Sequence, residues 1–379
     1  VVCDLVEENW PSMELVGEML HGQLQAHHSS FARITKLLPS MKRRFGALPV
    51  LGGSGAAFNG DRLLNRFWDY PRWLRRQRTD FDLFHVVDHS YSQLVHELPP
   101  ERTVVTCHDL DTFRCLLEPE QEPRPAWFRK MMQRTLDGLR RAARVVCDST
   151  ATYDQVLRYG LAPAERALVI PLGIHPAYSA EPDPVADAEA RRLLGMVGGG
   201  PWLLHVGSTI QRKRIDVLLE VFASVRRKFP RARLIRVGGP FTAEQMELAQ
   251  RLRVAKAITV LPFLTREVVA AVYRRAALVL LPSEREGFGL PVAEALACGV
   301  PVVASDLAVL REVGGEAATY CPVADTNAWD ETIAALLDER QDDPIKWAQR
   351  RDEGLAQAAQ FTWTEHARKL VALYQELLT

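Results

Sequence analysis

Short apolar runs alternate with stretches whose apolar residues recur every three or four positions, along almost the whole chain. The runs predict strands over residues 1–6, 83–87, 103–107, 145–147 and 167–171 in the first half. In the second half they predict strands over 202–206, 234–237, 258–261, 278–281, 302–305 and 318–321. Helical periodicity lies between them, for example over 216–228, 266–276 and 291–298. Strands separated by helices require crossover connections, and these build parallel sheets. Two such sets imply two α/β domains. The stretch from Pro176 to Gly200 contains Glu181-Pro182-Asp183-Pro184, an acidic alanine-rich patch and Gly198-Gly199-Gly200, so it reads as a linker and surface helix. Three helical patterns follow Cys321.

Composition narrows the class. A length of 379 residues with 47% hydrophobic positions is ample for two cores. Forty-seven basic residues balance forty-seven acids, so the overall field argues against a nucleic-acid binder. The balance is uneven locally. Residues 33–78 hold eleven Lys or Arg against Asp61 and Asp69, together with Phe67, Trp68, Tyr70 and Trp73. Such a surface suits an anionic membrane face or a phosphorylated acceptor, and equally an amphipathic helix with a solvated basic side. The six cysteines are scattered with no Cys-x-x-Cys pair, which predicts small core residues in a reducing compartment. No signal peptide and no bilayer-length apolar run is read, so the expectation is a soluble cytoplasmic protein, at most peripheral at the inner membrane face.

The stretch with the most chemistry is Pro282-Ser-Glu-Arg-Glu-Gly-Phe-Gly-Leu-Pro-Val-Ala-Glu-Ala295. The apolar run before it predicts a strand, Gly287-Phe288-Gly289 a turn, and Pro291 the first turn of a helix. A helix start offers unpaired N–H groups and the positive end of a dipole to an anion. Glu286 stands at the mouth of the turn. Glu294, about two helical turns further on, shares its face. A diphosphate with a sugar at one end and a ribose at the other fits that layout. A second charged cluster, Arg212-Lys213-Arg214, follows the strand over 202–206. Ligands of parallel sheets bind beyond the carboxyl ends of strands, where this loop lies. Cations at a helix N-terminus oppose the dipole, so the cluster wants an anion nearby.

This stretch resembles the Glu-x7-Glu signature of the retaining family-4 glycosyltransferases, which have the GT-B fold. His205-Val206-Gly207-Ser208 with Gln211-Arg212-Lys213-Arg214 is similar to the family's first donor-domain strand and basic loop. Leu234-Ile235-Arg236-Val237-Gly238-Gly239, Ala297-Cys298-Gly299-Val300-Pro301-Val302-Val303-Ala304-Ser305 and Ile170-Pro171-Leu172-Gly173-Ile174 are similar to further family segments. The likeness is strong over residues 140–320 and weak over 1–100. It implies an α/β fold with two Rossmann-like domains whose parallel sheets face each other across a cleft. Residues 1–178 would form the acceptor domain, with 364–379 packing back onto it, and 179–363 the nucleotide-sugar donor domain.

The resemblance also implies roles. Glu286, His108 and Lys213 would be catalytic, with Glu286 and His108 at the donor sugar and Lys213 at the diphosphate. Arg212, Gly207 and Ser208 would line the same phosphates. Gly287, Phe288, Gly289 and Leu290 would offer backbone N–H groups, and Glu294 would accept the ribose hydroxyls. Gly173 would allow close backbone approach, and Phe263 would lie near the base. His85 and His89, with Trp10 and Ser12, are the acceptor-side candidates. The implied reaction moves a hexose from a nucleotide diphosphate sugar, UDP-linked first and GDP-linked second, to a glycan or lipid-linked acceptor. It needs no cofactor and no metal.

Four features stand apart from that pattern. The position after the strand glycine, often arginine in the family, is Ser208. The loop after the first predicted strand, Glu7-Glu8-Asn9-Trp10-Pro11-Ser12-Met13, holds no glycine, and Ser12 is read as a helix cap. Gly52-Gly53-Ser54-Gly55-Ala56-Ala57 lacks the third glycine and the acidic partner of a dinucleotide site. Asp80-Phe81-Asp82 and Asp109-Leu110-Asp111 have the spacing of metal-binding acids, which also arises by chance. The rival readings are an epimerase or hydrolase of nucleotide sugars on the same fold, and a binding protein without turnover.

Overall fold

A computed structural model describes residues 1–8, 10–48, 54–195 and 200–379. Gly52 and Gly53 lie outside the described residues. The chain divides into two compact units. The first is Val1–Gly173 with Trp363–Thr379, and the second is Ile174–Thr362. The break therefore comes a few residues before the boundary expected at 178.

The first unit holds a four-stranded parallel sheet, β1 (Phe84–Val86), β2 (Thr103–Cys107), β3 (Arg144–Cys147) and β4 (Ala167–Val169), in that spatial order. The strand expected over 1–6 is reduced to a single bridging residue. Val2 pairs with both Val86 and Leu37, after which the chain turns into a short helical turn at Val6–Glu8. Helix Trp363–Leu378 packs against helix Pro11–His27 and buries Trp363, Ala367, Leu370 and Tyr374 in this unit. Pro11 takes the first position of its helix, so Trp10 and not Ser12 is the capping residue, and no side chain caps the end.

The second unit has six parallel strands: β5 (Trp202–Val206), β6 (Arg233–Val237), β7 (Ile258–Leu261), β8 (Leu278–Leu281), β9 (Val302–Ser305) and β10 (Thr319–Cys321). Their order is β10-β9-β8-β5-β6-β7. β5 is thus flanked by β6 on one side and β8 on the other, and the direction of winding reverses between β5 and β8. Loops leaving the carboxyl ends of strands diverge at such a point and leave a crevice. Leu278–Leu281 is buried at every position, as expected of a central strand covered on both faces. Each such aliphatic side chain contributes about 1.5–3 kcal/mol of burial. The acidic helix Pro184–Leu194, expected as a surface helix of the linker stretch, packs on helix Arg266–Tyr273, with Arg274 and Asp187 paired at 3.0 Å.

All six cysteines are free and buried. No described helix is long and apolar enough to cross a membrane. The basic stretch 33–78 is less positive than its count suggests. Lys42 and Arg44 pair with Asp69, Arg62 and Arg66 with Glu8, and Arg75 with Glu97. Asp61 accepts from the backbone N–H groups of Arg44, Phe45 and Gly46.

Candidate active site

The loops after β5 and β8 meet at the crevice of the second unit. After β5, Gly207 and Ser208 lead to a short turn at Gln211–Lys213, then to Arg214 with φ 47°, and then to helix Ile215–Lys228. After β8, the loop runs through Ser283 and Glu286 to Gly289 and helix Leu290–Ala297. Gly289 has φ 95°, and a Cβ there would lie 2.6 Å from Leu310, so the tight entry to this helix admits only glycine.

Charge pairs close the two loops on each other. Lys213 Nζ lies 2.5 Å from one oxygen of Glu286, and Arg212 Nη1 lies 3.2 Å from the other. Ser283 Oγ donates to Glu286 at 2.7 Å, and Arg212 also donates to the Arg285 carbonyl at 2.9 Å. Burial alone would raise the Glu286 pKa. The charges of Lys213 and Arg212 outweigh it and hold the carboxyl below its ordinary range. Arg214 turns away to Asp216, at 2.7 Å, so it adds nothing to the cluster. The anion that the basic loop was expected to need is therefore supplied, in the free protein, by Glu286.

Within that helix, Glu294 is buried and accepts a hydrogen bond from Tyr273 at 3.0 Å. Burial pushes its pKa up to about 7, against the pull of hydrogen bonds from Tyr273 and Tyr178. Neither tyrosine was singled out in the sequence. Phe288 packs edge-on against Phe361 and is a core residue, so only its backbone faces the loop chemistry. Phe263, after β7, is 66% exposed. Gly173 is the last residue of the first unit's leading segment, directly before the break at Ile174.

In the first unit a second cluster lies at the carboxyl ends of β1, β2 and β3. His108 is buried, its Nδ1 bonded to Asp148 and its Nε2 donating to the Val87 carbonyl at 2.7 Å. A carbonyl only accepts, and Asp148 binds the other nitrogen, so both nitrogens carry protons. Burial opposes that charge, yet Asp148 outweighs it and lifts the His108 pKa to about 9. A direct contact between His108 and a sugar requires one of these bonds to open. His89 is buried beside it, accepting from the His108 N–H at 3.3 Å and lying 3.5 Å from Asp109. Asp109 accepts from the Asp111 N–H at 3.0 Å, which fixes it in a tight turn. Among the described residues no three His, Cys, Asp or Glu side chains converge at metal-ligand spacing.

The remaining acceptor-side candidates are not gathered with these. His85 sits in β1 with its ring tied to Thr106 at 2.7 Å and Tyr374 at 2.5 Å. It lines a cavity of about 420 Å³ whose other walls include Phe31, Asp80 and Phe81, at the entry to the strand and not its exit. Trp10 is 49% exposed and donates to Glu8 at 3.2 Å, while Ser12 is exposed on its helix. Asp148 was also missed. Its place directly after an apolar strand was the available signal, since polar residues at strand exits line sites in parallel sheets.

Known proteins share both halves of this arrangement. Residues 187–353 match the family described as glycosyl transferases group 1, and residues 39–178 match glycosyltransferase family 4. The O-antigen chain mannosyltransferase B of Escherichia coli is 32% identical over 295 residues, which is 75% of this chain and 72% of that protein. The D-inositol 3-phosphate glycosyltransferase of Nocardia farcinica is 34% identical over 62% of this chain, which spans about half (53%) of that enzyme. Among solved structures, sucrose-phosphate synthase of Thermosynechococcus elongatus superposes with a TM-score of 0.72 at 23% identity, covering 94% of this chain and 91% of that one. Anabaena HepE, solved with UDP and glucose, gives 0.69 at 19% identity over 93% and 88%.

Proposed function

The chain is a family-4 glycosyltransferase of the GT-B fold, and from that premise we propose that it moves a hexose from a nucleotide diphosphate sugar to a glycan or lipid-linked acceptor, with retention and without a metal. The observation that carries the reading is the convergence of Lys213 and Arg212 on one point of the β5–β8 crevice, beside the helix start at Gly289. A nucleotide diphosphate is the natural replacement for the Glu286 carboxylate at those cations. When the diphosphate takes them, Glu286 is released to accept hydroxyls of the sugar. The bond from the anomeric carbon to the diphosphate then breaks, with the leaving charge held by Lys213, Arg212 and the helix N-terminus. The acceptor hydroxyl attacks from the same face and gives its proton to the departing diphosphate. Glu294 receives the ribose hydroxyls in its ionised form. His108, held positive by Asp148 and bonded to the Val87 carbonyl, braces the strand ends of the first unit.

UDP is the first candidate for the nucleotide, in keeping with the HepE structures, and GDP the second. The relatives, a mannosyltransferase and an inositol phosphate glycosyltransferase, suggest mannose among the sugars to screen and a polyol or saccharide acceptor. We place the reaction in the cytoplasm, with any contact to an anionic membrane made through the basic stretch 33–78. The test is incubation with labelled UDP-glucose and GDP-mannose, with and without glycan and lipid-linked acceptors. Acceptor-dependent nucleotide release with an α-linked product from an α-linked donor supports the proposal. A 2-epimer formed without acceptor supports the epimerase, and tight binding without turnover supports a binding protein. EDTA leaves the rate unchanged; strong inhibition reversed by Mg2+ or Mn2+ overturns metal independence and turns attention to Asp109 and Asp111.

A further inference from the structure

Arg236 is fully buried in β6, and among the described residues no carboxylate compensates it. A buried guanidinium without an acidic partner is costly, so the fold must hold it for a reason. Its two terminal nitrogens are spent on backbone. Nη2 donates to the Gly207 carbonyl at 2.9 Å, and Nη1 donates to the Gly239 carbonyl. The ring of Phe241 lies 5.2 Å from the guanidinium carbon. Its cross-strand partner is His205, also fully buried. Burial, Arg236 and Lys213 keep that imidazole well below its ordinary range, hence neutral. Burial lowers the Arg236 pKa only to about 10, so the guanidinium remains charged at neutral pH.

The two carbonyls belong to the turns that leave β5 and β6, and these turns touch. The Gly207 N–H donates to the Val237 carbonyl at 2.9 Å, and a Cβ on Gly238 would lie 2.1 Å from the Gly207 oxygen. A peptide group is planar and trans, so its C=O and N–H point in opposite directions. With the Gly207 carbonyl drawn inward to Arg236, the N–H of Ser208 is turned outward. Ser208 is exposed, and its N–H has no backbone acceptor among the described residues. The corresponding peptide after Gly239 ends in Pro240, which has no N–H to offer. The pinned turns thus present one outward donor, beside the loop that carries Lys213.

We propose that Arg236 is a positioning residue for the donor diphosphate: it pins the carbonyls of Gly207 and Gly239 so that the Ser208 N–H faces the crevice, and it adds a fixed positive charge behind that donor. This inference rests on reading the β5–β8 crevice as the diphosphate site. It also accounts for a serine at the position where an arginine was expected, since the guanidinium charge comes from beneath the turn.

Calorimetry with UDP, GDP, uridine and guanosine tests it on the wild type and on Arg236→Met, Arg236→Lys and Lys213→Ala. Loss of one charged donor–acceptor contact is expected to weaken the preferred diphosphate about tenfold in Arg236→Met, while the matching nucleoside changes less than about twofold. Arg236→Lys, which keeps the charge, recovers part of that loss. Equal weakening of diphosphate and nucleoside makes Arg236 merely structural and overturns the inference, as does unchanged diphosphate affinity. If Arg236→Met does not fold, Arg236→Lys decides alone, by whether its loss is confined to the diphosphate. Weakened binding in Lys213→Ala with none in the Arg236 variants sinks this inference only. No diphosphate binding by the wild type, or full binding by Lys213→Ala, sinks the reading of the site itself.

Discussion

Each unit carries a buried acid–base pair at the carboxyl ends of its strands, Glu286 with its cations and Asp148 with His108, and the two differ in what surrounds them. Glu286 in the second unit touches Lys213, Arg212 and Ser283, groups on two loops that an incoming anion can claim. Asp148 and His108 in the first unit are closed in, with the second imidazole nitrogen already spent on Val87. The first pair is an exchangeable contact between side chains that a ligand competes for. The second is a permanent brace across β1, β2 and β3. A charge pair is poised for binding when its cation has a better partner available than the one it holds, and it is structural when its cation's donors are all engaged within the fold.

Replacing Glu286 with Gln breaks the comparison most sharply. Transfer should fall by about 10²–10³-fold, the scale for losing a charge that acts at the reacting centre. UDP should bind at least as tightly as before, because the competitor for Lys213 and Arg212 has been weakened. Steady-state rates and calorimetry on the same preparation check this, and a matched loss of rate and affinity contradicts exchange. Asp148→Asn addresses the brace. Leaving the His108 charge buried and unpaired should cost about 3–5 kcal/mol of stability, read from denaturant unfolding.

The pH dependence of stability gives a second measure of the brace. His108 has a folded pKa of about 9 against an ordinary value of 6.5. Its stabilisation is therefore complete below pH 6.5 and is lost as pH rises through 9. Wild-type melting temperature should decline across that window, and the decline should flatten in Asp148→Asn. The smallest effect concerns Glu294, which is half ionised near pH 7. Uridine, with no phosphate to titrate, should bind more tightly as pH rises from 6 to 8, by less than about tenfold for a single hydrogen-bonded group. In Glu294→Gln the slope should vanish; a slope that persists assigns the titration elsewhere.

Much of this was legible from residue order. β5, β7 and β8 begin and end where the runs do, and β8 does so most simply, because a strand buried on both faces needs an unbroken apolar run. The expected strand over 1–6 failed because only Val2 finds partners, on both sides, before the chain turns. Ser12 failed as a cap because Pro11, suited to a first helical position, moved the helix start forward. Glu286, Lys213 and Arg212 were each recognised, yet their mutual pairing was not, since it joins loops separated by more than seventy residues. Tyr273, Asp148 and Arg236 were missed for the same reason: what each does depends on a neighbour that only the folded sheet supplies.

Helix Trp363–Leu378 belongs to the first unit although the whole of the second is encoded before it. During synthesis the first unit emerges early but lacks Trp363, Leu370 and Tyr374, which fill its core. It cannot finish folding until the second unit has left the ribosome. Deleting residues 363–379 should therefore damage the unit translated ahead of the second.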